Sequence, residues 1–419
     1  MNIKEIINKK RLGCELSREE IKYAVNGYVD GSIPDYQMSA LLMAICLRGM
    51  NFLETLSLTD VMLKSGKILD LSSINGVVAD KHSTGGIGDK VTLILSPLLA
   101  SLDIKIAKMS GRGLGFTGGT IDKLESIPNF NVNLTDIEFI SEVNDIGLSI
   151  TSASEDIDKA DKKIYSLRDA TCTVESIPLI ASSIMSKKLA SNADIILIDV
   201  KVGCGALIKN KREAKLLSKY LIDIGSNYNK KVFCLLTNMN QPLGFSIGNK
   251  LEVIEAIDAL QGNASKDLME VVYSIASIII SEIKGISIDD ACEECVNSIK
   301  QKQAYNKFID FIKYQNGDIN NLKINSNVLT VFSDFTGYIT DIDAEKIGML
   351  ALELGAGRIN KEDSIDYDVG IILDKKVGDY VSTGDILGRI YYNEKEIDIK
   401  SFKDCFKYSL EKTKIDTIL

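Results

Sequence analysis

Apolar positions recur at helical spacing through the first 65 residues and then change period. Ser17 followed by Glu20 is a capping-box pattern, in which each side chain satisfies the other residue's backbone N–H, and it opens a helix at Arg18. Pro34 and Asp35 open the next, which carries Met38, Leu41, Leu42, Ile45 and Cys46 on one stripe. A third runs from about Phe52 to Ser65 and stops at Gly66. From about residue 76, short apolar runs (Val77–Ala79, Ile104–Ala107, Ile195–Val200, Val232–Leu236) alternate with helical segments at Val91–Ser101, Arg212–Ile224 and Gly248–Leu260. Unbroken apolar runs spaced by helices predict buried strands of a largely parallel sheet.

A second helical patch interrupts the strands at 160–192. We expect 1–66 and 160–192 to form a small all-α domain, and 73–159 with 193–330 to form a larger α/β domain. That layout implies two hinges and a cleft, a common place for a ligand. The stretch 331–419 reads as a C-terminal α+β subdomain: strand–turn–strand over Val331–Ile342, a helix Ala344–Leu354, and a strand Val369–Leu373. The run Val377–Leu387 then predicts a hairpin similar to those of biotinyl/lipoyl folds. The Met-Lys tip that such carriers modify is missing, which favours a structural or dimer-forming role.

Composition narrows the function. The net charge of −9 over 419 residues argues against a general nucleic-acid binder, which needs a basic face. An anion would have to be held by a few local cations and backbone amides. Met1–Arg11 has no apolar core of a secretory signal, and Val271–Ile283 is too short to span a bilayer, so a cytoplasmic protein with no membrane partner is expected. The eight cysteines lack regular spacing, as in a reducing compartment, and the lone CxxC at Cys292 and Cys295 has no second pair to complete a metal site.

Two segments carry chemistry. Lys81-His82-Ser83-Thr84-Gly85-Gly86-Ile87-Gly88-Asp89 follows a predicted strand and precedes a predicted helix. Glycines there let backbone approach a ligand, and free amides at a helix start favour an anion. Lys81, Ser83 and Thr92 add one charge and two hydroxyls. The pattern is neither G-x-G-x-x-G nor a Walker loop. A second strand leads into Lys108-Met109-Ser110-Gly111-Arg112-Gly113-Leu114-Gly115-Phe116-Thr117-Gly118-Gly119-Thr120, with five glycines in nine positions, and then a helix with Asp122, Leu124 and Glu125. Two strand–loop–helix units facing one anion would make a phosphate cradle.

These blocks resemble the two signature segments of the thymidine/pyrimidine-nucleoside phosphorylases, in a superfamily that includes anthranilate phosphoribosyltransferase. The likeness continues through Ala160-Asp161-Lys162-Lys163-Ile164-Tyr165 with Arg168-Asp169, through Ser176–Lys188, and through Asn238-Met239-Asn240-Gln241-Pro242-Leu243-Gly244. It implies a homodimer that takes a small-molecule nucleoside and inorganic phosphate as co-substrate, needs no organic cofactor, and yields free base and (deoxy)ribose 1-phosphate. The phosphate set implied is Lys81, His82, Ser83, Thr92, Lys108, Met109, Ser110 and Thr120. On the base side, Pro178 suits a helix start, and Ile180, Ser183 and Lys187 then share one face. The resemblance adds Arg168 and His82 to that set, and makes His82, Arg168 and Lys187 the catalytic residues.

Two positions depart from the family pattern. Phe116 stands where relatives commonly carry His, and Lys90 stands where cation-binding members have Thr. The resemblance puts a monovalent cation near Gly88, Lys90, Leu243, Ser246 and Glu255. A Lys90–Glu255 pair would make a potassium ion redundant, and we expect that replacement; the alternative is a retained ion with Lys90 in solvent. Two rival readings of the whole chain are a phosphoribosyltransferase of the same superfamily and a non-catalytic nucleoside-binding protein.

Overall fold

The computed structural model describes residues 1–113, 118–154, 156–359, 363–395 and 398–419. They form two compact units: Met1–Ser73 with Ala153–Ile196 and Arg212–Cys234, and Ile74–Ser152 with Leu197–Lys211 and Leu235–Leu419.

In the first unit the helices Ile3–Arg11, Arg18–Asp30, Asp35–Arg48 and Phe52–Leu63 pack with Lys159–Ala170 and Ile177–Ser191. Their apolar stripes meet in one core that includes Ile6, Leu42, Met62, Ile164 and Leu179. Ser17 and Glu20 make the expected capping box, and Asn51 with Glu54 makes another. Glu54 is 3% exposed and also takes the buried Lys10 ammonium at 2.7 Å and the Leu16 N–H at 2.8 Å. Its lone pairs are therefore satisfied in a place where a bare carboxylate would be costly. A Cβ on Gly66 would collide with Asp156 O and Asp158 N, so the chain's return at 156–158 packs directly on that glycine.

Strands β1 (Val78–Ser83), β2 (Lys105–Ser110), β3 (Leu148–Ser152), β4 (Ile195–Val202) and β5 (Lys231–Asn238) form one sheet in the order β3-β2-β1-β4-β5, most of it in the second unit. β1 pairs with β2, and β2 with β3, in parallel. The helix Val91–Ser101 is buried along nearly its whole length, as a largely apolar segment between sheet and neighbouring helices must be. In a parallel sheet, ligands gather where the strands end, and the loops after β1, β2 and β4 all leave from that side.

The chain's last ninety residues form two small antiparallel sheets. One contains Tyr380–Val381, Gly337–Ile342 and Phe406–Ser409. The other joins Gly370–Leu373, Ile386–Tyr392 and Asn327–Phe332 to Ser246–Ile247 of the α/β region. The two arms of the expected Val377–Leu387 hairpin therefore do not pair with each other: Tyr380 lies opposite Tyr338, and Ile386 opposite Phe332. The first arm has only two strand residues, too few to compete with the seven-residue Ile386–Tyr392, which is paired on both edges. The helix expected over Ala344–Leu354 is regular to Ala351 and then unwinds at Gly355, where φ is +107°.

Candidate active site

β1 delivers Lys81, His82 and Ser83 to its carboxyl end, and among the glycines after it Gly88 is held to glycine by fixed backbone. A Cβ on Gly86 would sit 2.6 Å from Met239 Cε, and one on Gly88 (φ +72°) 2.5 Å from Leu243 O. Lys81 is 4% exposed, and its Nζ lies 3.5 Å from Asp89 Oδ2 and 3.4 Å from Asp199 Oδ2. These are long contacts, which hold the ammonium in place without using it up. Lys108 is equally buried; its Nζ donates to Lys81 O at 2.5 Å and reaches Asp80 Oδ1 at 3.4 Å. Met109 and Thr92 are buried, and His82, Ser83, Ser110 and Thr120 are part-exposed.

The carboxylates that organise these cations were not singled out from sequence. Asp199 is fully buried, takes Lys201 Nζ at 2.8 Å and accepts from Thr237 Oγ1 at 2.6 Å. Burial pushes the Asp89 carboxyl up, but the charges of Lys81 and Lys201 outweigh it and hold it well below the usual carboxylate range. Burial lowers the Lys201 ammonium, and Asp199 and Asp89 more than offset that, so it is raised. One signal was available: charges at Asp199 and Lys201 inside the apolar run of β4, where buried strands rarely carry them.

The second glycine loop differs from the expected cradle of free amides. Asp122, at the start of the helix Thr120–Glu125, accepts from Gly113 N at 2.6 Å and Gly119 N at 3.3 Å. Its other oxygen takes Arg358 Nη1 at 2.8 Å. Two of the loop's amides are thus engaged internally. A Cβ on Gly119 would collide with Gly113 N, so the fold of this loop demands glycine there. Leu114–Thr117, and with them Gly115 and Phe116, lie outside the described residues.

Of the base-side residues, Arg168, Ile180, Ser183 and Lys187 belong to the helical unit, while His82 stands on β1 in the other. On the helix Ile177–Ser191, Ile180 and Ser183 are buried, and Lys187 Nζ donates to Ser183 Oγ at 2.9 Å and to Asp161 Oδ2 at 2.5 Å. Arg168 is 1% exposed, and its guanidinium donates to three backbone carbonyls: Thr173 O at 3.2 Å, Leu179 O at 3.1 Å and Val174 O at 2.8 Å. Three of its five N–H donors are thereby used. Tyr165 draws the group together, its ring centroid 5.8 Å from Arg168 Cζ and 5.4 Å from Lys187 Nζ. Tyr165 and Asp161 lie in one of the segments that carry the resemblance, which assigns neither of them a role.

The positions that the resemblance assigns to a monovalent cation are filled by the protein's own charge. Lys90 is fully buried, and its Nζ donates to Leu243 O at 2.9 Å, Ser246 O at 3.0 Å and Glu255 Oε2 at 2.7 Å. Three donors meet the three oxygens an ion would use, so these residues do not fit a free potassium ion.

A helical bundle followed by a parallel α/β unit with cationic, glycine-rich strand ends defines a glycosyl transferase. Residues 4–66 match the glycosyl transferase family helical bundle domain, and 75–305 match the α/β domain of that family. Residues 338–409 match the pyrimidine nucleoside phosphorylase C-terminal domain. The chain is 49% identical over 405 residues to the pyrimidine-nucleoside phosphorylase of Bacillus subtilis, covering 95% of this chain and 94% of that one. It is 47% identical to the enzyme of the same name from Geobacillus stearothermophilus, with the same coverage. It therefore belongs to the pyrimidine-nucleoside phosphorylase family. The crystal structure of anthranilate phosphoribosyltransferase from Thermus thermophilus superposes with a TM-score of 0.58 at 15% identity, over 74% of this chain and 99% of that one, which is a likeness of fold.

Proposed function

We propose that this chain is a pentosyltransferase that cleaves pyrimidine nucleosides with inorganic phosphate, taking uridine, thymidine and deoxyuridine. The observation that carries this reading is the coexistence of two residue sets. A cation set (Lys81, Lys108) lies at the strand ends of one unit, and a base-edge set (Arg168, Ser183, Lys187) lies on the helices of the other, in a chain related over nearly its full length to enzymes of this name. A phosphate oxygen forms the new bond to C1′ as the glycosidic bond breaks, through an oxocarbenium-like transition state. Lys81 and Lys108, with the hydroxyls of Ser83, Ser110 and Thr120, hold the nucleophile. The leaving base takes the bonding pair as negative charge, which Arg168 and Lys187 stabilise more strongly in the transition state than in the bound nucleoside. His82 donates or shares a proton with the departing base.

The same reading makes the working form a homodimer, supported by Tyr36, Leu47 and Leu53, which leave large apolar side chains exposed on the helical bundle. The cytoplasmic assignment rests on the eight unpaired cysteines. The deciding assay is uridine with and without phosphate, with product followed by phosphorus NMR. Phosphorolysis predicts ribose 1-phosphate in buffer containing phosphate and no free base without it. Equal rates in both buffers would establish a hydrolase, and turnover only with a pyrophosphoryl sugar and magnesium would establish a phosphoribosyltransferase.

A further inference from the structure

We propose that Lys90 is a tethered monovalent cation: its ammonium does the joining work of the alkali ion that the resemblance implies, so this chain holds its first anion loop without any free cation. Lys90 directly precedes the helix Val91–Ser101 and ends the glycine loop that follows β1. Its three donors span Leu243, Ser246 and Glu255, more than 150 residues away, and pull that distant loop onto the first one. Backbone reinforces the join, since Leu243 N donates to Ile87 O at 3.0 Å.

The acceptor side is built for one fixed charge. Glu255 receives Phe245 N at 2.8 Å on one oxygen, and Ser246 N at 2.7 Å together with Lys90 on the other. The space is also closed. A Cβ on Gly244 (φ +70°) would stand 2.5 Å from Glu255 Oε1 and 2.7 Å from Lys90 Nζ.

A second observation, from the C-terminal sheets, points the same way. Lys376, between Gly370–Leu373 and Tyr380–Val381, donates to Pro242 O and to Gly244 O at 2.9 Å and pairs with Asp267 at 2.9 Å. Burial lowers the Lys376 ammonium; Asp267 and Glu255 oppose this, while the positive charge of Lys90 adds to the lowering. Two ammoniums already face one five-residue loop, and a mobile cation added among them would be repelled by both. Lys90 is thus a positioning residue for the anion loop, acting through residues 86–89 and not on substrate.

The test compares the full-length parent with Lys90→Thr and Lys90→Met in choline, sodium and potassium chloride at matched ionic strength. It measures melting temperature and the KM for phosphate. The parent is expected to melt alike in all three salts, with KM within about twofold. Lys90→Thr opens the cavity. In choline it melts several degrees lower with KM raised about tenfold, and potassium restores both. Lys90→Met fills the space without donors and is impaired in every salt.

A parent that potassium stabilises or activates more than about threefold overturns the proposal. So does a Lys90→Thr chain indifferent to the salt, or one that fails to fold in potassium as well as in choline. The melting arm needs no substrate, so it stands whether or not the phosphorolysis reading holds.

Discussion

Arg168 holds three backbone carbonyls and is proposed to hold the base, and one substitution tests both. Arg168→Lys keeps the charge and loses the fork. The parent side chain satisfies the carbonyls of Thr173, Val174 and Leu179, which tie the 173–174 turn to the first turn of the helix carrying Ser183 and Lys187. A lysine ammonium can reach at most one of them, so two buried charge-assisted bonds disappear. At about 1.5 kcal/mol each, the helical unit loses about 3 kcal/mol. A loss of that size lowers the melting temperature by roughly 8 °C in a unit of this length. On the proposed reading activity should fall as well, because the two remaining N–H donors would meet the base only with the guanidinium plane fixed. The expected drop in kcat/KM is about 10²-fold, of the size seen on losing one oxyanion donor. The assay pairs calorimetry with steady-state kinetics at a temperature where both proteins are folded. A variant that melts with the parent refutes the account of the carbonyl fork. One that melts early but keeps kcat/KM within about tenfold of the parent removes Arg168 from the base site.

Three further outcomes are expected. His82→Asn should leave the KM for phosphate within about twofold and lower kcat about 10²-fold; as the chain's one histidine, its titration is directly visible by NMR, and parental kcat would make it structural. Arg358→Met frees Asp122 from its outer partner and so loosens its hold on Gly113 and Gly119; the KM for phosphate should rise about fivefold with kcat little changed, and an unchanged KM would detach the C-terminal subdomain from the loop. Glu142 is fully buried, and burial pushes its carboxyl up to about 8, against the lowering effect of the Ser149 hydroxyl. Between the unfolded carboxyl's value and about 8 the folded state binds the extra proton, so stability falls as pH rises across that window, by up to about 1.4 kcal/mol per pH unit, and the penalty is complete above it. Glu142→Gln should flatten that slope in thermal melts from pH 5 to about 9, and parallel curves for the two proteins would refute it.

The parts of this protein legible in its sequence are those in which a residue's own identity carries the information. Apolar period placed β1, β2 and β4 within a few residues, because a buried strand is mostly apolar whatever it packs on, and it placed β5 as well, although that strand is only part-buried. Glycine clusters located both loops, because a collision such as that awaiting a Cβ at Gly119 excludes every other residue. The parts that stayed hidden are partnerships. Asp122 reaches Arg358 across 236 positions with no periodicity linking the two, and the Lys90–Glu255 pair, across 165, was expected only through the family resemblance. Arg168 spends its fork on backbone carbonyls, which every residue possesses and no pattern can display. Strand pairing in the C-terminal sheets failed for a related reason: turn residues at 378–385 signal a reversal of the chain, but the partner of each arm is set by which strand offers more ladder bonds. A buried charge is therefore the most useful trace that sequence leaves of a hidden partner. Asp199 and Lys201 in an apolar strand, and Lys90 ahead of an apolar helix, each had to be neutralised by something. Asp199 is met by Lys201 and by Lys81, which is proposed to hold phosphate, and Lys90 is met by Glu255.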